Sequence, residues 1–376
     1  MIEYLHKSIS SFGRDRHRVV LFFVLVFLAF FSAYVLNHKI EGDSLLYVNS
    51  IEVLKTGVQF IDFIPMMILS TYLGLKLIML FNFFTNDIAI SWLILNSIMY
   101  VTMGLFFHAL LKRIVKNNQV AFLGTLFLAT NYASVAFGMA YMMDIGGWAF
   151  YIASLYFSYR YLESEGDEGN KWLYISSAVV GIGGLYKEYA FVAYVIIFGL
   201  ILFRNWKDWS KIFWKVVVTC LLAFTPFLLM NIYTFIKFDQ YTYLDWFLHN
   251  QNTYTYQNRP VEFIKSFGSI FNIGWFLFLG GFYILLKRLK EMFLNRNIDK
   301  DILFIALIIL SSFSVLLWPV VTRVLFITMP VVIIISSLFI KKIKRPFLVV
   351  TPILIIYAVL SYLMDAYILD FVNLPF

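Results

Sequence analysis

Apolar runs of about twenty residues recur along the whole length of this chain, and no other feature limits its fold as much. At about 1.5 Å per residue, a helix of that length crosses a hydrocarbon core of about 30 Å. Eleven such runs can be placed, near 19–36, 89–111, 119–138, 145–161, 172–187, 189–203, 213–236, 267–287, 302–320, 324–340 and 347–365. In lipid each backbone polar group must be satisfied within its own segment or in a closed barrel, so runs of this length read as helices. Composition excludes the alternative of a soluble domain. Of 376 residues 61% are hydrophobic, 41 are Phe and only 14% are charged, with a mean hydropathy of +0.80, whereas soluble domains carry about 25% charged residues. The expectation is an all-α polytopic membrane protein, residues 1–376 forming a single integral membrane domain. The basic segment Met1 to Arg18 runs into a first span too long for a cleavable signal and followed by no small-x-small site, which reads as an uncleaved anchor. The one cysteine, Cys220, lies inside a span; it excludes disulfides and cysteine-based metal sites and reads as a packing residue.

Orientation follows from the distribution of Lys and Arg between loops. With the N-terminus inside, the inner segments are the N-terminus, 112–118, 160–171, 204–215, 287–300 and 341–345, and they hold 22 of the chain's 30 Lys and Arg. The outer side keeps Lys39, Lys55, Lys76, Lys187, Lys237, Arg259, Lys265 and Arg323. The net charge of +8 therefore reflects anchoring at one membrane face, not nucleic-acid binding. The same bias decides the stretch Ile64 to Phe81. It is apolar enough to span, but counting it would invert every later loop. It is therefore expected to be an interfacial or re-entrant helix within a long first outer loop, 37–88, with Pro65 in its first turn. A second large outer loop covers 237–266.

Ionisable groups near hydrocarbon are costly and are commonly kept for function, so the few outer ones are the candidates for chemistry. Glu41-Gly42-Asp43 follows the first span directly. The sequence from Asp43 to Lys55, closed by Gly57, predicts a short helix with Asp43 as its N-cap and Gly57 just past its end. A carboxylate there is held ionised by the helix dipole and can act as a base or bind a cation, or it can simply cap the helix while Glu41 is solvated. Asp144, in the turn between the third and fourth spans, admits the same two readings. Lys187-Glu188 interrupts an apolar stretch at the top of a helical hairpin. Adjacent helical residues point about 100° apart, so the pair is not expected to neutralise itself. Arg323 is the only charge between Asp301 and Lys341. Its planar fork suits a phosphate, the alternative being an interfacial anchor beside Trp318. The loop Phe238 to Ser266 carries Tyr241, Tyr243, Trp246, Tyr254 and Tyr256 with His249 and Arg259, a density that suits sugar stacking but also suits a membrane interface. His108, near the inner end of its span, reads as buried or snorkelling. No P-loop, GxGxxG, HExxH or GxSxG pattern is present.

The order of these features is a basic N-terminus, one span, Glu41-Gly42-Asp43 then Tyr47 and a helix ending at Gly57. An outer Asp144, the string Gly184-Leu185-Tyr186-Lys187-Glu188-Tyr189-Ala190, and a late Arg323 before Pro330 follow. Over most of residues 1–340 this resembles the C-type (GT-C) glycosyltransferases, in particular the branch of protein O-mannosyltransferases and lipid A aminoarabinose transferases. The resemblance implies a GT-C-like bundle of about eleven spans with interfacial helices in the first outer loop. The implied activity is an inverting transfer of one sugar from a polyprenyl-phosphate carrier to a hydroxyl of a glycan, lipid or protein acceptor. The implied location is the outer face of a bacterial cytoplasmic membrane. It makes Asp43, with Glu41, the catalytic position, and assigns the donor phosphate to Lys187, Arg323 and Arg259. Asp144, Glu188, Tyr47, Tyr186 and His249 fall to substrate binding. Glu41 and Asp43 could also hold Mg²⁺ or Mn²⁺ through oxygen ligands. The pattern departs from many such enzymes in length, and no soluble C-terminal outer domain is expected within residues 1–376. A polymerase or ligase acting on polyprenyl-diphosphate-linked glycans remains the alternative enzyme. A transporter, which predicts mid-membrane charges and inverted repeats, is the alternative outside enzymes.

Overall fold

A computed structural model describes residues 16–36, 38–40, 42–57, 65–238, 259–295, 298–314 and 322–364. The described elements are helical. In chain order they are α1 (Arg16–Leu36), α2 (Asp43–Thr56), α3 (Pro65–Thr85), α4 (Ile88–Val115), α5 (Asn118–Ala129), α6 (Tyr132–Gly138), α7 (Asp144–Glu163) and α8 (Gly166–Gly184). A 3₁₀ turn (Glu188–Phe191) leads into α9 (Val192–Asn205), and α10 (Trp209–Phe238) and α11 (Arg259–Phe271) follow. Then come α12 (Trp275–Asn295), α13 (Lys300–Ser312), α14 (Thr322–Leu325) with a 3₁₀ turn to Thr328, α15 (Met329–Ile340) and α16 (Pro346–Leu363).

The helices sort their side chains as lipid-facing helices must. On α1, Leu21, Leu25 and Ala29 are buried at helical spacing while Phe23, Phe27 and Phe30 point outward. Starts are built from side-chain caps: Asp87 accepts from the Ile90 N–H, Asn117 from Gln119 and Val120, and Asn131 from Ser134. Asn131 also marks where the expected span 119–138 breaks, since α5 and α6 meet at 52°.

Among the described residues eight helices are long and apolar enough to cross a membrane, or nine if the bent pair counts as one span. Eleven were expected. The expected spans absent from that set are 145–161, 172–187 and 302–320. Helices α7 and α8, of 20 and 19 residues, are long enough to cross; what they lack is apolar density. Almost the whole of α7 is buried, so protein rather than lipid surrounds it. It can therefore carry Ser154 and Ser158, which bond Ser176 of α8 at 2.8 and 2.9 Å. The described part of 302–320 ends its α-helix at Ser312.

Helix α3 passes the same length test, yet its contacts keep it at one end of the bundle. Its backbone is non-helical at Thr71, and the Leu73 N–H donates to the Leu185 carbonyl at 2.8 Å. Tyr72 meets Tyr233 near the end of α10, and Thr85 bonds Ser91 at the start of α4. Both halves of the helix thus touch the same end of their neighbours. The expectation placed 64–81 outside the spans, whereas Met67–Thr85 is one of the eight helices long and apolar enough to cross.

Candidate functional site

The end of the bundle under α2 and α3 collects acids and cations from four separated segments. Asp43 opens α2, but not as its cap. Gly42 takes the cap position at a φ of 55°, and Asp43 is the first helical residue. The expected capping role is corrected on this point: the carboxylate turns away from the helix end and accepts a hydrogen bond from Arg323 Nη1 on Oδ2 at 3.1 Å. The C-terminal expectation holds. Gly57 is left-handed at φ 74° and closes the helix onto the Val53 carbonyl.

Arg323 comes from α14, 280 residues along the chain. Its segment is held by the Phe326 ring, which stacks on Trp148 of α7 with centroids 4.1 Å apart. The guanidinium also lies 3.4 Å from Met142 Sδ. The stretch around Met142 is fixed in turn by α4: Trp92 Nε1 donates to the Met142 carbonyl at 3.2 Å and Asn96 to the Ala140 carbonyl at 2.7 Å. Of the two readings of Arg323, the interfacial anchor cannot be followed, because Trp318 lies outside the described residues.

One turn beyond Asp43, the buried Tyr47 hydroxyl accepts from Lys187 Nζ at 3.4 Å. Lys187 Nζ also lies 3.6 Å from Glu188 Oε1, with both side chains nearly buried. Here a second expectation fails. Lys187 is not helical; its backbone is extended at φ −167° and ψ 138°, so the 100° offset between adjacent helical residues does not apply and the pair does meet. Burial works against the ammonium's charge. Glu188 first, then Tyr47 and Asp144, outweigh it and raise the pKa above the ordinary lysine value. Burial is also the main cause of a raised Tyr47 pKa, so that phenol stays protonated.

This turn sits against α7 because of two glycines. A Cβ at Gly146 would lie 1.9 Å from the Tyr186 ring, and one at Gly147 would lie 2.6 Å from Lys187 Cβ. Only hydrogen side chains admit so close an approach. Just before them stands Asp144, fully buried, whose Oδ1 accepts from the Tyr189 hydroxyl at 2.8 Å. It too is the first residue of its helix behind a non-capping neighbour, Met143, so the capping alternative for Asp144 is set aside. Asp144 Oδ2, Glu188 Oε2 and the Tyr186 hydroxyl are buried without a hydrogen-bond partner among the described residues.

Of the expected site residues, the structure therefore brings together Asp43, Tyr47, Asp144, Tyr186, Lys187, Glu188 and Arg323. Glu41 and His249 lie outside the described residues. Of Arg259 only the backbone is described, at the start of α11. The residue that sequence reasoning missed is Tyr189, the partner of Asp144. It was legible as the second tyrosine around Lys187-Glu188, but only a three-dimensional contact distinguishes it from Tyr186. The expected metal pair has one described member, and its carboxylate faces a guanidinium. Among the described residues no group of three His, Cys, Asp or Glu could hold a metal ion. His108 is buried. Cys220 lies partly buried beside the Tyr194 hydroxyl at 2.9 Å.

An apolar groove of about 670 Å³ opens beside the site, between Tyr72 of α3, Leu185 and the α10 residues around Pro226. Leu185 is two residues from Lys187.

Residues 69–230, somewhat less than half of the chain, match the family model described as dolichyl-phosphate-mannose-protein mannosyltransferase, a GT-C family. The match supports the resemblance to the GT-C membrane glycosyltransferases. The matched segment carries Asp144 and Tyr186 to Tyr189, whereas Asp43 and Arg323 lie outside it. No curated protein matches the chain.

Proposed function

We propose that this chain is an inverting glycosyltransferase that moves one sugar from a polyprenyl-phosphate carrier to an acceptor hydroxyl at the Asp43 end of the bundle. The observation that carries the reading is the 3.1 Å contact between Asp43 and Arg323. It joins a half-exposed carboxylate to a cation, beside a second buried cation, Lys187, and next to a lipid-facing groove. The family model that matches residues 69–230 names a lipid-phosphate sugar as donor, which agrees with that pairing of charges and groove.

The chemistry needs little more. The acceptor oxygen attacks the anomeric carbon, and the bond from that carbon to the phosphate oxygen breaks with its electron pair leaving on the polyprenyl phosphate. Asp43 takes the acceptor's proton. A single displacement inverts the anomeric centre, unlike a two-carboxylate retaining mechanism. Arg323, released from Asp43 as the donor's phosphate arrives, and Lys187 hold the charge that develops on the leaving group. The isoprenoid tail lies in the groove at Leu185. Asp144, through Tyr189, positions the Lys187 turn. A Mg²⁺ or Mn²⁺ ion on Glu41 and Asp43 would compete with Arg323 for the same carboxylate, so the proposal gives the phosphate charge to the two side chains. The site end is assigned to the outer face because the basic clusters of 112–118, 160–171 and 204–215 gather at the other end. The acceptor, whether glycan, lipid or protein, contributes only a hydroxyl to this argument.

The test is Asp43→Asn, assayed as release of polyprenyl phosphate from polyprenyl-phosphate mannose in native membranes. Turnover should fall by about 10² to 10⁴, the usual worth of a general base, while donor binding persists. Near-normal turnover by a folded Asn variant removes Asp43 from the mechanism.

A further inference from the structure

The end of the molecule opposite Asp43 carries a pocket that the transfer reaction does not use. It measures about 440 Å³ and is lined by Arg18, Lys112, Arg113, Lys116, Asn118 and Glu163. Four cations thus surround one carboxylate, and that carboxylate is taken up by Arg113 at 2.5 Å. Lys112 and Arg113 lie in the last turn of α4 and Lys116 follows it, where the helix dipole favours cations. Arg18 joins them from the basic N-terminal segment that the Lys and Arg bias assigns to the same face. It stands in the first turn of α1, which contains no acidic residue, and there the dipole disfavours a positive charge. A pocket lined by four cations and one carboxylate suits an anion.

A second cavity, about 560 Å³ and almost wholly apolar, runs along the same two helices between Phe22, Val26 and Phe30 of α1 and Leu93, Val101 and Leu105 of α4. The two adjoin by helical register. Phe22 lies one turn beyond Arg18, and Leu105 one turn before Ala109, which lines the basic pocket. Behind the groove Leu25 packs on Gly104, where a Cβ would come within 2.5 Å of the leucine, and Ala33 and Ser97 leave the cleft open. The result is a seam with positive charge at its end and a greasy channel leading away from it.

We propose that the α1–α4 seam binds one anionic phospholipid of the leaflet opposite the Asp43 site, its phosphate in the basic pocket and an acyl chain along the groove. Basic pockets between spans on the positively charged face are suited to such headgroups. A polyprenyl phosphate whose phosphate lies at Arg323 has its head at the wrong end of the molecule for this pocket.

The experiment uses the full chain in nanodiscs, with labelled phosphatidylglycerol, labelled phosphatidylcholine and soluble glycerol phosphate as probes. Two variants are compared: Lys112→Gln with Lys116→Gln, which leaves the Arg113–Glu163 pair intact, and Ser97→Trp, which fills the groove. Wild type should retain phosphatidylglycerol about tenfold better than phosphatidylcholine, and the double lysine variant should lose most of that preference. Ser97→Trp should weaken retention of phosphatidylglycerol. Equal retention of both lipids by wild type, or an unchanged preference in the lysine variant, overturns the proposal. So does glycerol phosphate competing as well as the lipid, which would make this a free-phosphate pocket. Ser97→Trp weakening polyprenyl-phosphate binding with phosphatidylglycerol untouched also overturns it, and returns the groove to the sugar donor.

Discussion

The two ends of this bundle use the same ionisable residue types in opposite ways. At the basic end most ion pairs join residues near in sequence: Lys211 with Asp208 at 2.9 Å, Arg160 with Glu168 at 3.4 Å, Arg288 with both Asp299 and Asp301, with Arg113 and Glu163, 50 residues apart, as the exception. At the site end, beside the adjacent Lys187 and Glu188, the partners are remote. Asp43 and Arg323 are separated by 280 residues, Tyr47 and Lys187 by 140, and Asp144 and Tyr189 by 45. Two of them are also enclosed, Asp144 fully buried and Lys187 at 12% side-chain exposure, while Asp43 and Arg323 are as open as the basic-end pairs. Exposed local pairs contribute little and cost little. A buried carboxylate with one oxygen unpartnered costs free energy that folding alone gives no reason to spend. On the proposed function, the difference separates charges that serve membrane orientation from charges that serve the transfer reaction.

That contrast breaks most decisively at Asp43, where the Asn substitution described above should remove nearly all turnover. Next in size are Arg323→Ala and Lys187→Ala. Each should raise the donor concentration needed for half-maximal rate by about tenfold or more, since a charged hydrogen bond to phosphate is worth about 1.5–3 kcal/mol. Turnover at saturating donor should fall less. Unchanged donor affinity in both variants, measured by titration of polyprenyl-phosphate mannose, would detach the phosphate from these cations. The raised Lys187 pKa fixes the sign of the pH dependence. The ammonium is charged everywhere below the ordinary lysine value of about 10.4, and its charge is lost only above it. Donor affinity should therefore show no Lys187 titration between about pH 6 and about pH 9. If the two side chains carry the phosphate charge as proposed, chelation with EDTA should leave turnover unchanged. A loss restored by Mg²⁺ or Mn²⁺ would move that role to Glu41 and Asp43.

A smaller effect is expected at Tyr189. Tyr189→Phe takes away the one hydrogen bond that Asp144 accepts from the described residues and leaves a second buried oxygen unsatisfied, costing about 1–3 kcal/mol. Thermal unfolding in detergent should shift down accordingly, and Asp144→Asn in the Phe background should recover part of the loss by removing the buried charge. No shift in the single variant would mean that Asp144 is held by something other than Tyr189.

How much of this was legible in the sequence depends on whether the signal was local. Apolar run length gave most spans, and the Lys and Arg bias set α3 apart from them although it is apolar enough to cross. Both are properties of single segments. The count of eleven spans exceeded the eight or nine found among the described residues, in part because α7 is enclosed by protein. Enclosure is a tertiary fact that lets a membrane helix be built from Ser, Tyr and Gly. Asp43 and Asp144 stood out as rare acids, but both were open to a capping reading because Ser, Asp and Asn at helix starts ordinarily cap. Only the remote partners Arg323 and Tyr189 show that neither does. The Lys187–Glu188 contact was misjudged by assuming a helix where the chain is extended. Gly146 and Gly147, which let that turn approach α7, looked like a bare dipeptide until the side chains filling their missing Cβ positions were known.

The smallest effect is expected at the basic end, and it sharpens the comparison because it tests the cheap side of it. Arg113 and Glu163 make a close ion pair on that face, at 2.5 Å, with about a third of each side chain exposed. Geometry alone would rank it above the 3.1 Å pair of Asp43 and Arg323. Solvent and salt discount both, because a pair this exposed contributes between about 0 and 1 kcal/mol whatever its length, and what separates them is the reaction proposed for Asp43. Glu163→Gln should therefore shift thermal unfolding by no more than a few degrees, less in high salt, and leave donor turnover at the wild-type value. A large loss of activity from Glu163→Gln would show that the two ends are coupled, and the division of charges between anchoring and chemistry would then fail at its simplest point.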